Sequence, residues 1–221
     1  LDTIDSIAIN AINDKVFPGC QILVARKNTV VFNRSYGTHS YTDKTPVNNG
    51  DLYDIASMTK VFATLPVLMQ LSQTGKINVD STISSYLPRL KNSNKKDIII
   101  KDVLLHRSGL KPWIPFYYSL IEGYDNPEQK IVSKRKSDKY PFKLGDNIYL
   151  KKNFKLIDSL LDNKMSDKYS IQIAENLYLD SSYIHKMYSA IDSSFLFPDN
   201  KYRYSDLGYY YLKQIIENIV N

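Results

Sequence analysis

Cysteine is nearly absent from this 221-residue chain, and a long hydrophobic run is missing altogether. Cys20 is the single cysteine, which excludes an intramolecular disulfide and a cysteine-based zinc site within the chain. The longest apolar stretch, residues 61–69, has about half the length of a membrane span and contains Pro66. No transmembrane helix is predicted. No signal peptide is recognisable at the start either, which predicts a processed or excised piece.

Metal-binding and nucleotide-binding patterns are also missing. The three histidines are His39, His106 and His185, and their spacing fits no metal site. Neither a glycine-rich phosphate loop nor a Gly-x-Ser-x-Gly elbow is present. The sequence therefore predicts no metal and no cofactor. His106 can be a site residue or a packing and capping residue, and the second interpretation is favoured.

The charge balance is basic, with 29 Lys and Arg against 23 Asp and Glu, a net charge of +6 and a pI near 9.1. Such a balance is compatible with an anionic surface or nucleic acid as a partner, or with ordinary solvated lysines. Positive charge is scattered except at Lys134-Arg135-Lys136. Because no nucleic-acid-binding motif accompanies it, nucleic acid is not a predicted partner. The 43% hydrophobic content fits one sizeable domain, residues 1–221.

Hydrophobic periodicity predicts a mixed helix and strand order. Residues 57–74 are apolar on nearly every face, which predicts a helix buried nearly all round. Residues 111–146 predict an irregular segment beside a cleft or, equally, a solvated loop, and no internal repeat is recognised. The remaining predictions are helices over 4–12, 80–87, 101–106, 169–178 and 182–191, strands over 21–25 and 29–36, and a last helix from a cap at Asp206 to Ile219.

The pattern Ser-x-x-Lys places two reactive side chains on one face of a helix, because three residues turn the chain by about 300°. A lysine so placed can hold or accept the proton of the serine hydroxyl. The pattern occurs four times, and three copies lie in exposed turns or before a proline. Only Ser57 and Lys60 open an apolar helix. The four serines are Ser57, Ser93, Ser108 and Ser133.

Three ordered motifs give the chain a specific resemblance. Residues 54–60, Asp-Ile-Ala-Ser-Met-Thr-Lys, closely resemble the nucleophile motif of class C β-lactamases and the related esterases and D-amino-acid peptidases of the penicillin-binding-protein kind. Residues 104–110, Leu-Leu-His-Arg-Ser-Gly-Leu, resemble a loop of that family, and residues 204–206 stand where its Tyr-x-Asn motif is expected. The predicted opening helix and hairpin also match.

The resemblance implies a fold and a set of roles. The fold is α/β (α+β), an antiparallel sheet flanked by helices, with a helical region carrying the nucleophile. Ser57 would attack the substrate carbonyl and form an acyl-enzyme, and Lys60 and Tyr204 would move the proton. The implied substrates are β-lactams, D-amino-acid peptides of cell-wall origin, and esters.

Asp206 departs from the family pattern, which has asparagine at this substrate-binding position. An ionised carboxylate can only accept hydrogen bonds. Beside Lys60 it would keep the ammonium charged, favour the phenolate form of Tyr204 and tilt the base role toward the tyrosine. It also puts recognition of a substrate amide in doubt.

The family's third motif, a Lys- or His-Thr/Ser-Gly triplet on a sheet strand, has no match, because only 15 residues follow Asp206. The chain therefore resembles the N-terminal part of a domain whose last strands are missing. Three alternatives stay open: a serine hydrolase, a non-catalytic module that binds cell-wall peptides or a partner protein, and a basic surface-binding protein. Residues 110–116 also resemble hydrolase modules fused to glycosidases, which implies an extracytoplasmic, cell-envelope location. The oligomeric state is not predicted.

Overall fold

The computed structural model describes residues 2–220, and the chain divides between Ser57 and Met58 into two compact units. The first unit contains α1 (Asp2–Asn13) and the antiparallel hairpin of β1 (Gly19–Arg26) and β2 (Thr29–Gly37). Lys27 and Asn28 both adopt left-handed φ values, 47° and 62°, as a two-residue hairpin turn with right-handed strand twist requires. The predicted helix and hairpin are confirmed.

The second unit begins with the helical region that the Ser-x-x-Lys pattern predicts. Residues Lys60–Thr64 form a π-helical turn that continues into α2 (Leu65–Gln73). Two short helices follow, α3 (Ile83–Tyr86) and α4 (Ile100–Leu104). The first lies inside the range predicted from the sequence, 80–87, and the second overlaps the predicted range 101–106 but begins one residue earlier and ends two residues earlier.

The prediction that the helix over 57–74 is buried nearly all round is wrong for the described residues. Leu68 and Leu71 are buried in the core, but Val61, Phe62 and Met69 are 57%, 65% and 63% exposed. Within this chain the core covers one stripe of the helix, the stripe that carries Leu68 and Leu71. Apolar composition alone therefore overestimates its burial.

Residues 132–179 form two small antiparallel sheets of three strands each. The helix predicted over 169–178 is wrong, because a short hairpin bends there at left-handed Asn176. Within the predicted irregular segment 111–146, the strands are two short ones, at 132–133 and 142–145. The strands are β3 (Val132–Ser133), β4 (Phe142–Gly145), β5 (Ile148–Leu150), β6 (Leu161–Asp162), β7 (Ile171–Ala174) and β8 (Leu177–Leu179).

Two C-terminal helices complete the second unit, α5 (Tyr183–Ser193) and α6 (Leu207–Val220). The predicted face of α6 is confirmed, since Leu207, Tyr211 and Ile215 are fully buried. Gly208 allows α6 to approach α4 closely, because an added Cβ would lie 2.4 Å from Val103 Cγ1. This contact fixes the start of α6, and with it the segment that precedes the helix.

A completely buried lysine ties the end of α5 to the loop before α4. Lys95 is 0% exposed, and its ammonium donates to Asn94 Oδ1 at 2.7 Å and to the carbonyls of Asp192 and Ser194 at 3.2 and 2.6 Å. Burial lowers the pKa of Lys95, and the nearby Asp192 carboxylate opposes that shift. Three acceptors thus compensate for the removal of this cation from water.

Replacing Lys95 with methionine is expected to lower the free energy of unfolding by about 2–3 kcal/mol, because two buried carbonyls lose their donor. Urea unfolding measures the change. Lys96→Met is the matched control, since the neighbouring lysine is exposed and should change stability by less than about 0.5 kcal/mol. Equal losses in the two variants would show that the buried hydrogen bonds contribute nothing.

Candidate active site

The predicted nucleophile lies on a strained turn at the end of the first unit. Ser57 is the central residue of the 3₁₀ turn Ala56–Met58 and is exposed to solvent. Ala56 immediately before it has φ +43°, a left-handed conformation that costs a non-glycine residue about 1–2 kcal/mol. The Asp54 carboxylate accepts a hydrogen bond from the Ala56 N–H at 2.7 Å and so supports this turn. Strain of this kind concentrates at functional sites.

Lys60 begins the π-helical turn of the second unit and forms an ion pair with the aspartate that replaces the expected asparagine. The distance from Lys60 Nζ to Asp206 Oδ1 is 2.6 Å. Oδ1 is buried, and no other described group donates a hydrogen bond to it. The ammonium also lies over the rings of Tyr204 and Tyr209, at 5.2 and 5.3 Å from their centroids. The structure thus brings Lys60, Tyr204 and Asp206 together.

The electrostatic consequence concerns the charge of Lys60. Burial lowers its pKa, but hydrogen bonds with Asp206 and Tyr204 and the Asp206 charge outweigh burial, so that the pKa lies above its ordinary value. The lysine side chain is 15% exposed and the Asp206 side chain 47% exposed, so solvent still screens this ion pair in part. The geometry gives Lys60 the charged form that the aspartate substitution predicts.

Backbone contacts hold the Tyr204–Asp206 segment in place. The Asp206 N–H donates to the Pro112 carbonyl at 2.8 Å, and the Ser205 hydroxyl donates to the Lys111 carbonyl at 2.6 Å. Ser205 Oγ in turn accepts from the Leu207 N–H at 3.2 Å and caps α6. The prediction that Asp206 caps this helix is therefore corrected: its carboxylate pairs with Lys60, and the serine provides the cap.

His106 is also part of this cluster; the sequence left a site role open for it and favoured a packing or capping role. Its Nδ1 accepts a hydrogen bond from the Ser205 N–H at 3.2 Å, and its carbonyl accepts from the Arg203 N–H at 2.7 Å. Its ring lies 4.4 Å from the ring of Tyr204 and 5.8 Å from that of Tyr209. His106 has φ +53°, so its backbone is held in a left-handed conformation. The signal available in the sequence was its position in the second family motif.

The acceptor role of Nδ1 requires a neutral imidazole with its proton on Nε2. Burial lowers the pKa of His106, the Lys60 charge lowers it further, and the Asp206 charge opposes both. Because the folded-state pKa lies below the ordinary value, the folded state binds fewer protons than the unfolded state just below that value. Stability is therefore expected to fall as the pH drops through the ordinary histidine range toward the folded pKa.

Two substitutions separate the acceptor role of His106 from its backbone strain. Glycine and asparagine both tolerate φ near +53°, but only asparagine carries an acceptor oxygen. We expect His106→Gly to lower the free energy of unfolding by about 1–3 kcal/mol, because the buried Ser205 N–H loses its partner, and His106→Asn to lose clearly less. Urea unfolding at neutral pH checks this. Indistinguishable variants would contradict the acceptor role.

Within the described residues, no group of three or more His, Cys, Asp or Glu side chains is arranged to hold a metal ion. Similarly, none of the helices over residues 2–220 is both long and apolar enough to cross a membrane. The chemistry of the cluster must be inferred from Lys60, Tyr204, Asp206 and His106.

Comparison with known proteins agrees with the fold. A family model described as Beta-lactamase matches residues 4–219. Protein flp of Staphylococcus aureus is 27% identical over 164 residues, covering 72% of this chain and 32% of that protein. A candidate D-alanyl-D-alanine carboxypeptidase of Escherichia coli (strain K12) is 33% identical over 117 residues, covering 47% of this chain and 27% of that protein.

Among solved structures, a class C β-lactamase from Rhodobacter sphaeroides has a TM-score of 0.59 and 14% identity. The match covers 100% of this chain and 45% of that one. This likeness shows the predicted β-lactamase and transpeptidase fold. The chain spans about a third of the length of the flp protein that it matches.

Proposed function

Because this chain belongs to the beta-lactamase family, we propose that it contributes the nucleophile and the proton-transfer residues of a serine hydrolase that cleaves an amide or an ester. The observation that carries the proposal is the Lys60 ammonium, paired with Asp206 at 2.6 Å and lying over the ring of Tyr204, three residues after an exposed serine. A mostly buried lysine with a shifted pKa, paired with a carboxylate and packed against a tyrosine ring, is a combination that is concentrated at functional sites.

The proposed reaction is acyl transfer in two halves. Ser57 Oγ adds to the substrate carbonyl carbon while its proton passes to the phenolate of Tyr204. The carbonyl re-forms, and the amine or alcohol leaves with that proton, which gives a Ser57 acyl-enzyme. Water then attacks the ester in the same way and releases the acid and the free serine.

Lys60 acts in this scheme as a fixed cation. Its ammonium stabilises the negative charge on the tyrosine oxygen and on the serine oxygen as attack begins. Asp206 keeps Lys60 protonated, so the base role falls to Tyr204. His106 and Ser205 set the position of the Tyr204–Asp206 segment through the bond from the Ser205 N–H to His106 Nδ1.

The proposed substrates are β-lactams, D-amino-acid peptides from the cell wall, or simple esters. The similarity to a candidate D-alanyl-D-alanine carboxypeptidase supports the peptide class. The proposed extracytoplasmic location follows from the resemblance of residues 110–116 to cell-envelope hydrolase modules. The matched region is 32% of the length of protein flp and 45% of the length of the Rhodobacter sphaeroides β-lactamase. The assays therefore use the full-length protein.

A non-catalytic binding module is the second candidate. The observation that favours it is the carboxylate of Asp206, which cannot donate to a substrate carbonyl as the family asparagine amide can. A charged lysine is also a poor base. In this case the same cleft would hold a cell-wall peptide or a protein partner without forming a covalent bond.

Covalent labelling separates the two candidates. The full-length protein, incubated with a fluorescent penicillin or a fluorophosphonate, is expected to gain one adduct that disappears in Ser57→Ala. Ser93→Ala is the matched control, because Ser93 and Lys96 have the same spacing in a turn and should leave labelling unchanged. A folded wild type that gains no adduct from either probe, but binds a cell-wall peptide reversibly, supports the binding module.

A further inference from the structure

The two small sheets are copies of one unit. Residues 131–152 and 160–181 align without a gap at an offset of 29 positions, and both contain Ser-Asp-Lys-Tyr, at 137–140 and at 166–169. Seven of the 22 aligned positions are identical. The sequence interpretation recognised no internal repeat, and that prediction is wrong. We name these segments the first copy and the second copy.

The structural equivalence extends to the hydrogen-bonding register. Lys143 pairs with Tyr149 across the first hairpin, and Gln172 pairs with Tyr178 across the second, 29 positions later. Each hairpin contains a bulge at the same place and a left-handed asparagine, Asn147 or Asn176. The two copies therefore present the same backbone with different side chains.

Equivalent hydrogen bonds, each from a tyrosine hydroxyl to a backbone carbonyl, hold both copies in place. The Tyr140 hydroxyl donates to the Lys130 carbonyl at 2.8 Å, and its counterpart Tyr169 donates to the Ser159 carbonyl at 3.2 Å. A lysine precedes each tyrosine and lies over its ring. Conserved packing of this kind makes each copy a natural control for the other.

Charge is what separates the copies. The first copy carries seven Lys and Arg against two Asp, a net charge of +5, whereas the second carries two Lys against four Asp and Glu, a net charge of −2. The +5 of the first copy compares with +6 for the whole chain. The sequence view of scattered positive charge is corrected: the excess is concentrated in one 22-residue unit.

One ion pair of the second copy has no counterpart in the first copy. In the second copy, Lys168 forms an ion pair with Asp180 at 3.7 Å. The equivalent positions in the first copy are Lys139 and Lys151, so a lysine replaces the anion. The first copy therefore carries two cations at the positions of that ion pair, and an external anion could balance their charge.

The cationic side chains of the first copy are mostly exposed, and an aromatic ring accompanies them. Phe142 is 50% exposed in β4, next to the exposed Lys143. Long flexible lysines around an exposed aromatic residue fit a fluid anionic surface, which needs no fixed ligand geometry. The exposed cations are Lys134, Arg135, Lys136, Lys139, Lys143 and Lys152.

We propose that the first copy, residues 131–152, docks the protein on the headgroups of an anionic lipid bilayer. Lysine and arginine charges supply the attraction, and Phe142 enters the interface. The second copy has no such role, since its net charge is negative. This surface acts independently of the hydrolase reaction.

The duplication supplies the test variant. The first copy takes the residues that the second copy carries at the equivalent positions, so the backbone already accommodates them. The substitutions are Lys134→Asn, Lys143→Gln, Lys151→Asp and Lys152→Ser. They remove five units of positive charge. A matched control removes five charges elsewhere, with glutamine at Lys44, Lys76, Lys91, Lys96 and Lys186, all exposed.

The measurement is co-sedimentation of the full-length protein with vesicles of phosphatidylcholine, with or without 30% phosphatidylglycerol. We expect the wild type to bind only the anionic vesicles and to lose this binding at high salt. The variant with the four first-copy substitutions (the copy-swap variant) should bind at least about tenfold more weakly, and the control variant less than about threefold more weakly. If the variant with four substitutions does not fold, the double variant Lys143→Gln/Lys152→Ser replaces it, and a smaller loss of vesicle binding is expected. Equal losses in swap and control, equal binding to both vesicle types, or no binding by the wild type each overturn the proposal.

Discussion

Replacing Tyr204 with phenylalanine is expected to slow the reaction of the full-length protein with a fluorescent penicillin by about 10²- to 10⁴-fold. The phenol oxygen is the proposed base for Ser57, and phenylalanine removes only that atom. The ring contact with His106 at 4.4 Å and the ring surface over Lys60 remain available, so the segment should keep its position. Stopped-flow or gel-based acylation rates measure the loss.

Tyr202→Phe is the control for this substitution. Tyr202 lies in the same segment, its ring is 6.0 Å from that of His106, and it is 70% exposed. Its hydroxyl has no proposed role, and the rate should change by less than about twofold. If the two phenylalanine variants react at the same rate, Tyr204 is not the base.

Replacing Asp206 with asparagine is expected to lower the pKa of Lys60, because it removes the carboxylate that lies 2.6 Å from the ammonium. The variant also restores the amide that the family pattern has at this position. Because the account makes the charged Lys60 the partner of the Tyr204 phenolate, we expect the alkaline limb of the pH–rate profile, where Lys60 loses its proton and the rate falls, to move to lower pH in this variant. A pH–rate profile of wild type and variant measures both effects.

Asp199→Asn controls for the loss of one negative charge in the same segment. Asp199 pairs with Arg203 at 3.2 Å. This control should leave the pH–rate profile in place. A fall in rate for Asp206→Asn, with the profile unmoved, would mean that the carboxylate itself assists the reaction.

Local sequence signals predicted the elements whose stability is local or strongly periodic. The hairpin of β1 and β2 followed from its polar turn, and the buried face of α6 followed from the spacing of Leu207, Tyr211 and Ile215. The Tyr204–Asp206 motif predicted two of the residues that lie beside Lys60. Such motifs can be recognised in the sequence because the chemistry needs only a few residue types at fixed spacings.

The failures have physical causes. Helical spacing over residues 169–178 competed with a hairpin that depends on the left-handed turn at Asn176, which no periodicity reveals. The repeat was not predicted because its two copies share only seven of 22 residues and their net charges have opposite signs. The hydrogen-bond partner of His106 could not be predicted, because the bond from the Ser205 N–H to its Nδ1 joins residues 99 positions apart.

The central claim is that Lys60 is a permanent cation beside Tyr204, held by Asp206, and it is tested most directly by titrating Lys60 itself. NMR of the full-length protein with ¹³C-labelled lysine, with Lys60→Arg to assign the signal, gives its pKa. The account predicts a pKa above the ordinary lysine value, falling in Asp206→Asn. A Lys60 pKa below neutral in the wild type would show that the lysine is the base and contradict the account.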